Sequence, residues 1–188
     1  MHAQNGDIQL SAEVSLAADR LVLSYRVENA GGADIYLVNK VYKALPKAEI
    51  SKDFAYVFLT RDGELAIEKD IPPVPPGLSP TSLVVPYMTV VRAGASFAET
   101  VELALPVRQY IEYLDNTPPA DPQQERVATA TGIVFSVGYF VRPPGATERF
   151  EQQLGQEVVL FQNPPGARAR HERLAVGPFR VEIPVYGR

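Results

Sequence analysis

Cysteine and tryptophan are absent from this 188-residue chain, and histidine occurs only as His2 and His171. Without cysteine there are no disulfides, no thiolate metal ligands and no thiol nucleophile. Basic excess is missing too: 18 lysines and arginines against 22 acidic residues leave a net charge of −4. A general nucleic-acid binder needs a basic footprint, which sets that class aside. No apolar run approaches the roughly 18 residues of a membrane span. The opening "MHAQNGDIQL" has no basic stretch followed by an apolar one. A cytoplasmic location is therefore expected, or a periplasmic one if an upstream leader has been removed. The loops G-x-x-x-x-G-K and G-x-G-x-x-G, the G-x-S-x-G elbow, and the spacings H-x-x-x-H and D-x-D-x-D are all lacking. No nucleotide, cofactor or metal is expected, and a serine triad would have to recruit His171.

Proline is abundant, with 17 residues beside 13 glycines. Proline-rich loops are predicted at 70–80 ("DIPPVPPGLSP"), 116–122, 142–148 ("RPPGATE") and 163–173, which opens "NPPGARAR". Pro72 with Pro75, and Pro73 with Pro76, satisfy the P-x-x-P spacing of a recruitment peptide. However, Asp70 stands where such peptides carry a basic residue, and the P-P-G triplet returns twice. Stiff, low-entropy connections between strands account for all three stretches.

Between the loops the pattern has period two. Ile8, Leu10, Ala12, Val14 and Leu16 share one parity and Gln9, Ser11, Glu13 and Ser15 the other, as on a strand with one buried face. "RLVLSYRVEN", "DIYLVNKVY", "FAETVELAL" and "QEVVLF" read as strands, and Asp62-Gly63 joins "FAYVFLT" to "ELAIEK" as a hairpin. Pro86 in "LVVPYMTVV" predicts an edge strand or a bulge, and Pro184 in "FRVEIPVY" a second edge. The longest strand is predicted over 126–141. Val127, Thr129, Thr131, Ile133, Phe135, Val137 and Tyr139 form one face, while Ala128, Ala130, Gly132, Val134, Ser136 and Gly138, almost all small, keep the other face low. That low face leaves room for aromatic rings across the sheet, or for a ligand. A short crossover helix is predicted over 106–115 ("PVRQYIEYLD"), where Val107, Tyr110, Ile111 and Leu114 fall at helical spacing behind Pro106. Two further helical turns are predicted over 147–155. About ten strands with no βαβ alternation give an all-β class, an antiparallel β-sandwich forming one domain over 1–188.

Two stretches carry a resemblance. "LSYRVENAGGADIYLVN" resembles the strand–turn–strand opening of bacterial immunoglobulin-like domains. "VRAGASFAETVELALP" is similar to a glycine-led strand later in the same domains, intracellular proteinase-inhibitor domains included. The resemblance implies an immunoglobulin-like sandwich with a non-enzymatic, binding habit, and it carries over no functional residue.

Residues able to do chemistry are few. Glu99 shares parity with Phe97, Val101 and Leu103, which would turn it inward and desolvate it, but the plainer expectation is that it lies at the open end and reaches water. Hydrolysis by paired carboxylates would need a second acid that the sequence does not locate. All five lysines lie between 40 and 69. Lys40 and Lys43, with Tyr36 and Tyr42, suit a partner surface or an edge strand defended by lysine. Arg168, Arg170, His171 and Arg173 fall in a predicted loop, either solvated or disposed to bind an acidic protein partner. The sequence thus reads as a binding module without cofactor or metal. The alternatives are a carboxylate-dependent hydrolase, carbohydrate-active or other, and an assembly subunit joined through edge strands.

Overall fold

The computed structural model describes residues 1–43, 48–80, 83–114, 116, 126–166 and 168–186. Seventeen strands and no helix occur among them. β1 (His2–Asn5), β2 (Ile8–Leu16), β3 (Arg20–Asn29) and β10 (Ser96–Ala104) form an antiparallel sheet in that order. A larger sheet runs β14 (Thr147–Gln153), β15 (Gln156–Gln162), β9 (Tyr87–Val91), β4 (Ile35–Lys40), β13 (Ile133–Val141), β8 (Leu65–Lys69) and β7 (Tyr56–Leu59). β16 (His171–Phe179) also pairs with β13. A small sheet holds β11 (Val107–Arg108), β17 (Ile183–Tyr186) and β12 (Val127–Ala130), and β5 (Tyr42–Lys43) pairs with β6 (Glu49–Ile50).

The all-β class holds, but the ten-strand antiparallel sandwich with a crossover helix does not. β8 runs parallel to β13, and β11 parallel to β17, so the architecture is mixed. A parallel pair cannot be closed by a hairpin; strands β9 to β12 fill the long connection between β8 and β13. Leu10, Leu21, Leu23, Val27 and Val101 of the four-stranded sheet pack against Ile35, Leu37, Leu65, Ile67, Ile133, Phe135 and Val137 of the large one. Each such fully buried side chain contributes about 1.5–3 kcal/mol. β4 is buried on both faces, because Tyr36 and Val38 join Met88 and Val159 in a second cluster.

Period 3.6 misled at two places. Over 106–114, β11 pairs with β17, and Tyr110 exchanges both backbone hydrogen bonds with Val57 at 2.8 Å. Tyr113 has a φ of 66°, outside the helical region. The Asn116 side chain accepts from the Ile111 N–H and donates to the Leu114 carbonyl. Val107 and Tyr110 therefore bury separately, one in the main core and the other stacked on Tyr56. Over 147–155 the chain is the β14–β15 hairpin, closed by Leu154 and Gly155 at φ 50° and 78°, the signs a type I′ turn requires. Phe150 there is half exposed, so no apolar helical face had a core to meet.

The predicted long strand breaks at Thr131-Gly132 into β12 and β13, which enter different sheets. Pro86 precedes β9, which lies inside the large sheet, and the β4–β9 register slips between Leu37 and Lys40. The bulge expected there is present, and the edge is not. Pro184 sits in the middle strand of its sheet, where β11 pairs only with Val185 and Tyr186. Two P-P-G triplets are hydrogen-bonded turns, Leu78 N–H to the Pro75 carbonyl and Ala146 N–H to the Pro143 carbonyl, both 3.1 Å. Gly77 and Gly145, at φ 84° and 79°, occupy the third position, which a type II turn reserves for positive φ. Of the predicted loop at 116–122, only Asn116 falls within the described residues.

Candidate functional site

β8, β13 and β16 bring one polar cluster together on the face of the large sheet turned away from the main core. Gly138 of β13 stands opposite Arg173 of β16, and Phe140 opposite His171. Asp70, just beyond β8, lays its carboxylate over Gly138. A Cβ at Gly138 would lie 1.9 Å from Asp70 Oδ1 and 2.8 Å from His171 Nε2. Only glycine admits both groups there. The Asp70 side chain is fully buried. Its Oδ1 lies 2.7 Å from His171 Nε2 and accepts the Ile71 N–H at 2.7 Å, and its Oδ2 accepts Arg173 Nε–H at 2.6 Å. Arg173 Nη1 also donates to Glu68 Oε1 at 3.0 Å. Burial raises the Glu68 pKa, an effect the Arg173 charge partly offsets. The His171 ring lies 5.1 Å from Phe140, which meets Phe161, itself stacked on Tyr36 at 4.4 Å.

This low face of β13 is thus filled chiefly by a carboxylate and an imidazole, rather than by the tyrosines and phenylalanines expected. His171 and Arg173 stand on a strand, not in the predicted 163–173 loop. Their side chains remain 37% and 41% exposed, so both are reachable from solvent. Arg170 pairs with Glu172, and Arg168 is exposed just before β16. The structure separates the other predicted residues from this group. Tyr36 is wholly buried, its hydroxyl donating to Glu148 at 3.1 Å. Lys40 donates to Gln156 at 3.4 Å. Lys43 lies over the rings of Phe54 and Tyr110, with its pKa lowered by burial, while Tyr42 tilts against Tyr87. Ser136 is the buried serine of this face, and its Oγ has no hydrogen-bond partner among the described residues. Among the described residues, His171 therefore finds the acid of a triad but no bonded serine.

A second cluster lies between the two sheets. Lys69 is completely buried, and its ammonium donates to Glu99 Oε2 at 2.5 Å, to the Lys52 carbonyl at 2.6 Å and to the Asn39 carbonyl at 3.3 Å. The Tyr25 hydroxyl donates to the same Glu99 oxygen at 2.8 Å. Burial lowers the Lys69 pKa, and burial together with Glu99 raises that of Tyr25 well above its usual value. Glu99 follows its parity inward instead of reaching water at an open end, because Lys69 and Tyr25, rather than a second carboxylate, meet it there.

Sequence reading passed over Asp70, Glu68 and Lys69. The signal for Lys69 was available, since it shares parity with Leu65 and Ile67 on β8 as Glu99 does with Val101 on β10. Nothing local flagged Asp70, whose side-chain partners His171 and Arg173 lie over 100 positions away in the chain. Comparison with family models, curated proteins and solved structures finds no match.

Proposed function

We propose that this chain is a non-enzymatic interaction module, immunoglobulin-like in habit, that binds a carboxylate-bearing protein partner at the start of β16. One observation carries the reading: a buried Asp70 holds His171 and Arg173 side by side while both remain open to solvent. Side chains fixed in advance lose less freedom on binding, and arginine is enriched among residues that dominate interfaces. The three arginines Arg168, Arg170 and Arg173 are equalled in number by Glu172, Asp70 and Glu68, which pair with the latter two. Placement of donors therefore matters more here than long-range attraction. Titrating the isotope-labelled protein with a short oligoglutamate peptide should shift the His171 and Arg173 side-chain resonances, and Asp70→Asn should weaken that response in a folded protein. Resonances that stay still throughout, or an Asp70→Asn variant that responds like the wild type, would refute the proposal.

Carboxylate hydrolysis is the second reading, favoured by Glu68 and Asp70 on one face and by the raised Glu68 pKa. Arg173 bridges both acids, so a substrate would have to displace it. Glu68→Gln should abolish any glycoside hydrolysis that the wild type shows.

A further inference from the structure

Three edge strands of the two main sheets, β10, β7 and β14, are not alike. On β10, the Lys52 ammonium occupies the Thr100 carbonyl and the Asp53 carboxylate accepts the Glu102 N–H. On β7, Val57 is paired with Tyr110, and Gln109 Oε1 accepts the Leu59 N–H. β14 has no such cover. Among the described residues it pairs only with β15, and its seven residues contain no proline or bulge. Such an edge is a template for another strand.

The turn that closes the hairpin fixes which groups this edge offers. A two-residue type I′ turn closes on a hydrogen-bonded pair, here Gln153–Gln156, and such pairs alternate along an antiparallel ladder. Gln153, Glu151, Arg149 and Thr147 thus direct their backbone groups toward β15. Glu148, Phe150 and Gln152 direct theirs outward. Two copies of β14 related by a two-fold axis can use those outward groups in few registers. Centring the axis on Arg149 would oppose Arg149 to Arg149, and centring it on Glu151 would oppose Glu151 to Glu151. Centring it on Phe150 opposes Arg149 to the second copy's Glu151 twice and Glu148 to its Gln152, and sets like charges against each other nowhere. It also brings together two Phe150 rings, each 50% exposed in the single chain. Arg149 and Glu151 already pair within one chain at 2.5 Å, on a side chain of Arg149 that is 74% exposed and free to turn.

We infer that the chain self-associates through β14, as an antiparallel two-fold pair centred on Phe150 with reciprocal Arg149–Glu151 contacts. A two-fold interface of this kind makes each contact twice. Opposite charges across a strand pair stabilise it and like charges weaken it. The test is sedimentation equilibrium of the full chain over a concentration series. The wild type should shift from monomer to dimer. Arg149→Glu and Glu151→Arg alone should each weaken association by on the order of tenfold or more. Mixing these two variants should restore a one-to-one dimer. The Arg149→Glu copy then carries an acid at both positions and the Glu151→Arg copy a base at both, so each contact across the axis again joins opposite charges. The double exchange in a single chain should also restore it. A wild type that stays monomeric up to its solubility limit overturns the inference. So does a dimer that neither charge reversal weakens, or singly reversed variants that fail to combine on mixing while thermal melting shows them folded.

Discussion

Lys69 and Asp70 are consecutive, equally buried and opposite in charge, yet they face different halves of the molecule. Lys69 looks between the sheets, where its three N–H groups meet Glu99 and two carbonyls. The set is closed, with donors matched to acceptors and no reach to solvent from the ammonium. Asp70 looks outward and collects one donor each from the backbone, His171 and Arg173. That set is open, because two of its members keep more than a third of their side-chain surface in water. Equal burial therefore does not mean an equal role. The inner cluster locks the two sheets together, whereas the outer one fixes a pair of reachable side chains.

Breaking the inner cluster should have the largest effect. Lys69→Met leaves Glu99 buried without its cation and should lower stability by about 3–5 kcal/mol, read from the urea midpoint. Lys69→Met combined with Glu99→Gln should recover much of that loss. A midpoint unchanged in the single variant would show that the inner pair is not what ties the sheets.

Gly138→Ala attacks the outer cluster through sterics alone, since its Cβ would displace the Asp70 carboxylate. A loss of about 1–3 kcal/mol is expected, together with release of the His171 and Arg173 side chains seen as altered resonances. If stability falls while those resonances stay put, the cluster does not depend on the glycine gap.

Titration separates the buried tyrosines from Lys69 by sign. Burial raises Tyr36 from 10.0 to about 12, and Tyr25 is raised as well. The folded chain then holds tyrosine protons that the unfolded chain releases near 10, so this stability is complete below pH 10 and is lost as pH rises toward 12. Lys69 acts oppositely: its folded pKa is lowered, so its share of stability grows with pH until about 10.5, its ordinary value. Urea midpoints should turn downward above pH 10, and Tyr36→Phe should flatten that descent. A descent unaltered by Tyr36→Phe would assign it to other groups.

Ser136→Ala should have the smallest effect. The buried Oγ lacks a hydrogen-bond partner among the described residues, so its removal should be neutral or stabilise by up to about 1 kcal/mol. A marked loss of stability would show that the hydroxyl is bonded in solution and belongs with the outer cluster.

Local pattern made much of the fold legible. Alternating residues on β2, β3 and β10 correctly gave strands and their buried faces, because side-chain direction on a strand follows from backbone geometry alone. Two P-P-G triplets likewise announced turns, since proline fixes φ and glycine admits the positive φ of the third position without help from the rest of the chain. Pairing was not legible. A helical spacing at 107–114 gave way to Val57 and β17, and a proline-bearing strand became the centre of a sheet, because distant backbone groups supplied better partners than the local ones. The residues in the candidate site were partly in view as an arginine-rich stretch with one histidine. That His171 and Arg173 would share Asp70, and that Gly138 would make the space, was decided only by the order of β8, β13 and β16 in the sheet. Strand order depends on which distant surfaces bury best together, and no short stretch of sequence contains that information.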